Sequence, residues 1–274
     1  MRDLFFKKLE QALTSESGES KGGHIWEYFK DAREDKKNPN WEYTLRKRFE
    51  NALDKSDQAA LQDSVLSLGE LYFAIRPLRK PNDERAAGLI ASELLKTFQG
   101  PTRTEFKAGL LDEADYPALY ERLQEIYLKT VPSLTQRWGK GETAIHPWSW
   151  TSKALHFTKP ELFPIFDSLA SASWKIVIKR LSLKTKQGWP YNYKNICFLY
   201  RELWDGFTAT QKERIKELVS ALRNHFDLPF FSVIDAFDKH FWKAGNNPDA
   251  ILFADRSDRF GGEMDVIKTK PKPD

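Results

Sequence analysis

Two prolines, Pro160 and Pro164, interrupt an otherwise apolar and helix-compatible stretch between Trp148 and Leu181. Proline has no N–H to donate and pushes the residue before it out of the helical region. One continuous helix here is therefore excluded, and the chain has to reverse between two helices. Lys153 lies in the first of them, and Asp167 opens the second fourteen positions later. Such a reversal is able to set an amine and a carboxylate in one cleft, with Trp148, Trp150 and Phe157 supplying apolar surroundings.

Almost every other segment carries apolar residues at a spacing near 3.6, the mark of amphipathic helices. The spacing predicts helices over 2–14, 24–37, 41–54, 56–75, 83–99 and 114–130, then over 151–157, 167–181, 191–206, 210–224 and 229–243. Asn82-Asp83-Glu84 is a start signal for the fifth, and Gly100-Pro101 ends it. The helix at 41–54 has a basic face through Arg46, Lys47 and Arg48. Glycine- and serine-rich residues 15–23 read as a loop, as do 184–190. The expected fold is all-α: a single domain over 1–260, built of two packed lobes at roughly 1–110 and 111–260, with the lysine–aspartate motif at their cleft. Residues 261–274 read as a flexible basic tail.

Composition narrows the function. Hydrophobic residues make up 41% of the 274 and charged residues 30%, a balance that folds. No run of about 18 apolar residues occurs, so no membrane partner is expected. The charged N-terminus, Met1 to Lys8, does not read as a signal peptide, which makes the cytoplasm the expected compartment. One cysteine, Cys197, excludes an internal disulfide and a four-cysteine cluster; its apolar neighbours predict a buried thiol. The five histidines show no metal-ligand spacing, and no glycine-rich phosphate loop is present. Neither a metal nor an organic cofactor is expected. The net charge of +4 is compatible with nucleic acid.

A lysine attacks a sugar carbon only as the neutral amine, which requires burial or nearby positive charge. Lys153 in an aromatic setting fits that requirement, and the Asp167 carboxylate is suited to orient the amine and stabilise positive charge on a sugar ring as its base departs. Attack at C1′ gives a Schiff base, the chemistry of an N-glycosylase acting on a base turned out of the duplex.

Thr151-Ser152-Lys153 followed by Phe163-Pro164-Ile165-Phe166-Asp167-Ser168 resembles the active-site segment of the helix-hairpin-helix DNA glycosylase superfamily, in particular its 8-oxoguanine DNA glycosylase-like members. The resemblance covers roughly residues 145–170. It implies that Lys153 is the Schiff-base lysine and Asp167 the catalytic aspartate. The hairpin of that superfamily is usually Leu-Pro-Gly-Val-Gly; here His146-Pro147-Trp148-Ser149-Trp150-Thr151 keeps the proline and lacks both glycines. Bulky residues do not take positive φ cheaply, so any phosphate contact has to be built differently. The resemblance implies an enzyme that excises a damaged or modified base from double-stranded DNA, with lyase activity if Lys153 forms the adduct. It also allows a role in defence against phages with modified DNA. The alternative is a non-catalytic nucleic-acid-binding or defence-complex subunit with the same fold.

Further residues follow from the motif. Trp148 and Trp150 are candidates to stack on a flipped base, Ser152 and His156 to face it, and Lys186 and Trp189 to contact DNA. Each has a simpler reading: core packing for the tryptophans, a hydrogen-bonded interior histidine for His156, an N-cap for Asp167. Lys175, Lys179, Arg180, Lys184 and Lys194 extend the basic character around Trp189, Tyr191 and Tyr193. Residues 232–242 read as a packing helix in which Asp235 and Asp238 have no assigned role.

Overall fold

The computed structural model describes residues 1–15, 23–34, 41–71, 81–98, 116–130, 135–138, 141–144, 148–166, 168–183, 193–228, 231–245 and 247–253. Its helices are α1 (Arg2–Leu13), α2 (His24–Glu34), α3 (Trp41–Asp54), α4 (Gln58–Leu71), α5 (Pro81–Phe98), α6 (Tyr116–Thr130), α7 (Trp148–Thr158), α8 (Ser168–Leu181), α9 (Tyr193–Asp205), α10 (Ala209–Phe226), α11 (Val233–Ala244) and α12 (Pro248–Leu252). The protein is all-helical in character. One short antiparallel hairpin departs from this, β1 (Thr135–Trp138) paired with β2 (Gly141–Ala144). Neither the hairpin nor α12 follows from helical periodicity, both being too short to show a pattern.

Local chemistry sets the helix ends. α10 opens with a reciprocal capping box, in which Thr208 Oγ1 accepts from the Gln211 amide and the Gln211 side chain accepts from the Thr208 amide. It closes on Asp227 in the left-handed region, φ 53°. α5 carries Asp83 and Glu84 in its first turn and Lys96 in its last, each matched to the helix dipole. α7 starts at Trp148, three residues before the periodic pattern.

The two ends of the chain share one core. α1 packs on α10, α11 and α12, and α2 joins it against α10 and α11. The ring of Phe5 sits among Phe207, Phe237, Phe241 and Phe253, with centroids 5.8–6.4 Å away. α3, α4, α5 and α6 pack in succession, and α7 lies against α3, α4 and α6. Trp150 holds α7 to α4 by donating its indole N–H to the Val65 carbonyl at 3.0 Å. Among the described residues no helix is long and apolar enough to cross a membrane.

Where α2 meets α11, His24 and His240 stack with ring centroids 5.1 Å apart and planes 4° from parallel. Burial, with Lys243 nearby, holds His24 down at about 4. The unfolded chain therefore takes up this proton first, so the contribution of His24 is intact above about pH 6.5 and is lost as pH falls toward 4, at up to about 1.4 kcal/mol per pH unit. Denaturant midpoints of the wild type and His24→Gln, measured from pH 7 to 4, should converge or cross by this slope. Parallel curves would contradict it.

Candidate functional site

α7 ends at Thr158, and the chain doubles back through residues 159–166, as the two prolines require. Amides of Leu162 and Phe163 both reach the Lys159 carbonyl, at 3.1 and 3.2 Å, to form the turn. Beyond it the return segment is buried yet has no helix or strand to satisfy its peptide groups. Side chains from four places do so instead. Ser232 Oγ donates to Pro160 O at 3.0 Å, and Tyr193 of α9 donates its hydroxyl to Pro164 O at 2.8 Å. Asp238 Oδ2 accepts the Ile165 amide at 3.0 Å. Ser152 Oγ accepts the Phe166 amide at 3.0 Å and faces the Phe166 carbonyl at 3.3 Å. An orphaned buried group costs on the order of 1–3 kcal/mol, so each partner matters to the path of the chain. The neighbour of Lys153 is thereby tied to the neighbour of residue 167.

His156 supplies the remaining tie and links the segment to a charged cluster. Its Nδ1 faces the Phe163 carbonyl at 2.6 Å; a carbonyl only accepts, so that nitrogen carries a proton. Its Nε2 lies 2.9 Å from Asp235 Oδ1 and 2.8 Å from Arg46 Nη2. Arg46 also contacts Asp235 directly, donates to Glu42 Oε1 at 3.1 Å and covers the Phe157 ring at 5.0 Å. Lys239 donates to Glu42 Oε2 at 2.6 Å, and the Tyr28 hydroxyl donates to the same oxygen at 3.3 Å. Ser232 and Asp235 cap α11 reciprocally, with the Ser232 amide 2.8 Å from Asp235 Oδ2.

The acids of this cluster sit in two electrostatic classes. Burial opposes ionisation of Asp235, yet Arg46 and then His156 hold its carboxyl well below the ordinary carboxylate range. Glu42 is likewise lowered, Lys239 and Arg46 outweighing its burial. Asp238 goes the other way. Burial pushes it up to about 7, against the opposing effects of His156, the Tyr200 hydroxyl and the Ile165 amide.

These groups line an open cavity of about 200 Å³. α7 contributes Lys153 and His156 to its wall, α3 contributes Glu42 and Arg46, and α11 contributes Asp235, Asp238 and Lys239. Tyr28 and Trp242 add aromatic surface, their rings 6.4 Å apart, and Trp242 is 48% exposed. Ile165 and Ala170, which flank residue 167 in sequence, complete the lining. Lys153 is only 3% exposed.

Of the residues singled out in the sequence, Lys153 and His156 meet at this cavity. Asp167, Lys186 and Trp189 lie outside the described residues, as does the side chain of Trp148. Trp150 is 1% exposed and spends its indole N–H on α4, so the stacking role expected for it gives way to packing. Ser152 is fully buried and acts on the backbone of Phe166, and His156 is an interior, hydrogen-bonded ring. Neither presents itself to solvent as a DNA contact. The basic face of α3 divides, with Arg46 turned inward and Lys47 and Arg48 exposed. Lys175, Lys179, Arg180 and Lys194 are exposed. Cys197 is buried and its thiol is pushed up to about 12, an inert interior sulfur.

Sequence reasoning passed over Asp235, Asp238, Glu42, Tyr200 and Lys239. A signal existed for two of them. Ser232 three positions before Asp235 has the spacing of a helix cap, and two acids three apart within Val233-Ile234-Asp235-Ala236-Phe237-Asp238 fall on the apolar face of a helix. No protein family, curated protein or solved structure matches this chain.

Removing Arg46 leaves the Asp235 and Glu42 carboxylates buried without their shared cation. Arg46→Ala should lose about 3–5 kcal/mol in urea denaturation, more than Lys47→Ala by at least severalfold. Equal effects of the two substitutions would contradict the cluster.

Proposed function

We propose that this protein is a DNA N-glycosylase that excises a damaged or modified base, using Lys153 as the attacking amine. The observation that carries the reading is a buried lysine on the wall of an open cavity, beside acidic groups and under an aromatic rim. Burial of this kind favours the neutral amine that a nucleophilic lysine requires. A cavity of about 200 Å³ suits one heterocyclic base removed from a duplex, and the exposed Trp242 on its wall is suited to stack on it. The exposed Lys175, Lys179, Arg180 and Lys194 suit contacts to phosphates. The resemblance of residues 145–170 to helix-hairpin-helix glycosylases assigns Asp167 the role of stabilising charge on the sugar.

The fold-back supports this assignment by tying Ser152 to Phe166, the residues adjoining Lys153 and Asp167. In the proposed reaction the flipped base enters the cavity, the Lys153 nitrogen bonds to C1′, and the base departs. An imine then forms between lysine and sugar.

Borohydride added during turnover on duplex DNA carrying 8-oxoguanine or a bulky 5-modified pyrimidine should trap a protein–DNA adduct. Lys153→Ala should abolish the adduct, and Asp167→Asn should stop base release while salt-sensitive DNA binding persists. An adduct that survives Lys153→Ala contradicts the role of that residue. DNA binding with no base release from any substrate would point instead to a non-catalytic nucleic-acid-binding subunit.

A further inference from the structure

We propose that Asp238 is the general acid of this site, handing its proton to the base as the base leaves the sugar. The assignment rests on the glycosylase reading and adds to it a second carboxyl, on α11, that neither the motif nor the resemblance marks.

Three acids among the described residues line the cavity, and two are committed to ion pairs. Glu42 is held by Lys239 and Arg46, and Asp235 by Arg46 and His156. Asp238 differs in what it touches. Its close hydrogen bonds come from neutral donors, the Tyr200 hydroxyl and the Ile165 amide. His156 Nδ1 is 3.9 Å from Oδ2, but its proton is directed at the Phe163 carbonyl. Among the described residues, the titratable and charged groups that contact Asp238 or share its cavity are Lys153 and His156 of α7, Tyr193 and Tyr200 of α9, Glu42 and Arg46 of α3, Tyr28 of α2, and Asp235 and Lys239 of α11. Burial, aided by the neighbouring Asp235 charge, prevails over His156, the Tyr200 hydroxyl and the Ile165 amide, and the carboxyl keeps a proton to about pH 7. Each oxygen accepts one hydrogen bond and retains a further lone-pair position for a proton, and the residue lines the cavity.

A group that holds a proton near the working pH is what general acid catalysis calls for, and neighbouring carboxyls kept at different protonation states by their surroundings divide acid and base roles between them. The Lys153 lone pair closes a bond to C1′, and the electron pair of the C1′–N bond leaves with the base. The Asp238 proton passes to the departing base. The ammonium formed at Lys153 then loses one proton to solvent, the nitrogen lone pair forms the C=N bond as C1′–O4′ breaks, and the remaining N–H proton passes to O4′, leaving the imine and an open-chain hydroxyl.

An abasic site has no base to protonate, which separates this role from a structural one. Full-length Asp238→Asn should trap on abasic-site duplex under borohydride as the wild type does, which also shows that it is folded. On the duplex that the wild type excises, 8-oxoguanine or 5-modified pyrimidine, its single-turnover base release should fall by about 10²-fold or more. The wild-type rate should decline above about pH 7, where the acid is ionised, and the variant should lack that limb. Loss of abasic-site trapping together with base release would mark Asp238 as structural and overturn the proposal. Unchanged base release with the alkaline limb intact would overturn it as well. If the wild type neither traps nor releases any base, the glycosylase reading itself fails and this assignment falls with it.

Discussion

A buried stretch of chain without helix or strand has to find partners for its peptide groups or unfold the region around it. Residues 160–166, buried except for Glu161 and the half-buried Ile165, are such a stretch, and besides the Lys159 carbonyl their partners are the side chains of Ser152, His156, Tyr193, Ser232 and Asp238. Because those five side chains stand on α7, on α9 and around the start of α11, satisfying the return segment fixes the three helices relative to one another. Two of them, α7 and α11, wall the cavity together with α3. Its shape is thus a by-product of hydrogen bonding that the two prolines made necessary.

The same side chains carry the electrostatics. His156 holds Phe163 with one nitrogen and reaches the Arg46–Asp235 pair with the other, while Asp238 holds Ile165 and faces the cavity. Scaffold and chemistry are therefore not separate sets of residues. A buried ion pair with strong supporting hydrogen bonds does not by itself stabilise a fold relative to an apolar core. Here Arg46, Glu42, Asp235 and Lys239 instead fix where charge sits around a hollow, leaving Asp238 as the acid outside those pairs.

Most of the architecture was readable because it depends on periodicity. Apolar stripes such as Leu4, Phe5, Leu9 and Leu13 on α1 report a helix and most of its buried face together, Leu4 being only half-buried, and the bounds of α3 follow to the residue. The reversal after α7 was readable because proline chemistry is local. The β1–β2 hairpin was not, since four-residue strands carry too little alternation to distinguish them from a loop. The cavity was legible only at Lys153 and His156. Glu42, Arg46 and Asp235 are separated by as many as 193 positions in the sequence, and nothing in a helical pattern tells an inward arginine from an outward one. Trp150 shows the converse: an aromatic beside a candidate lysine reads as a ligand contact, whereas its indole is required to join α7 to α4.

The reading of function depends on the return segment being a built part of the interior, so its amides offer the most direct test. Hydrogen exchange at Ile165 and Phe166, whose N–H groups donate to Asp238 and Ser152, should be as slow as in the middle of α11. Exchange of these two amides at the rate of an exposed loop would show that the segment is not held, and with it the cavity wall and the placement of Lys153 would be lost.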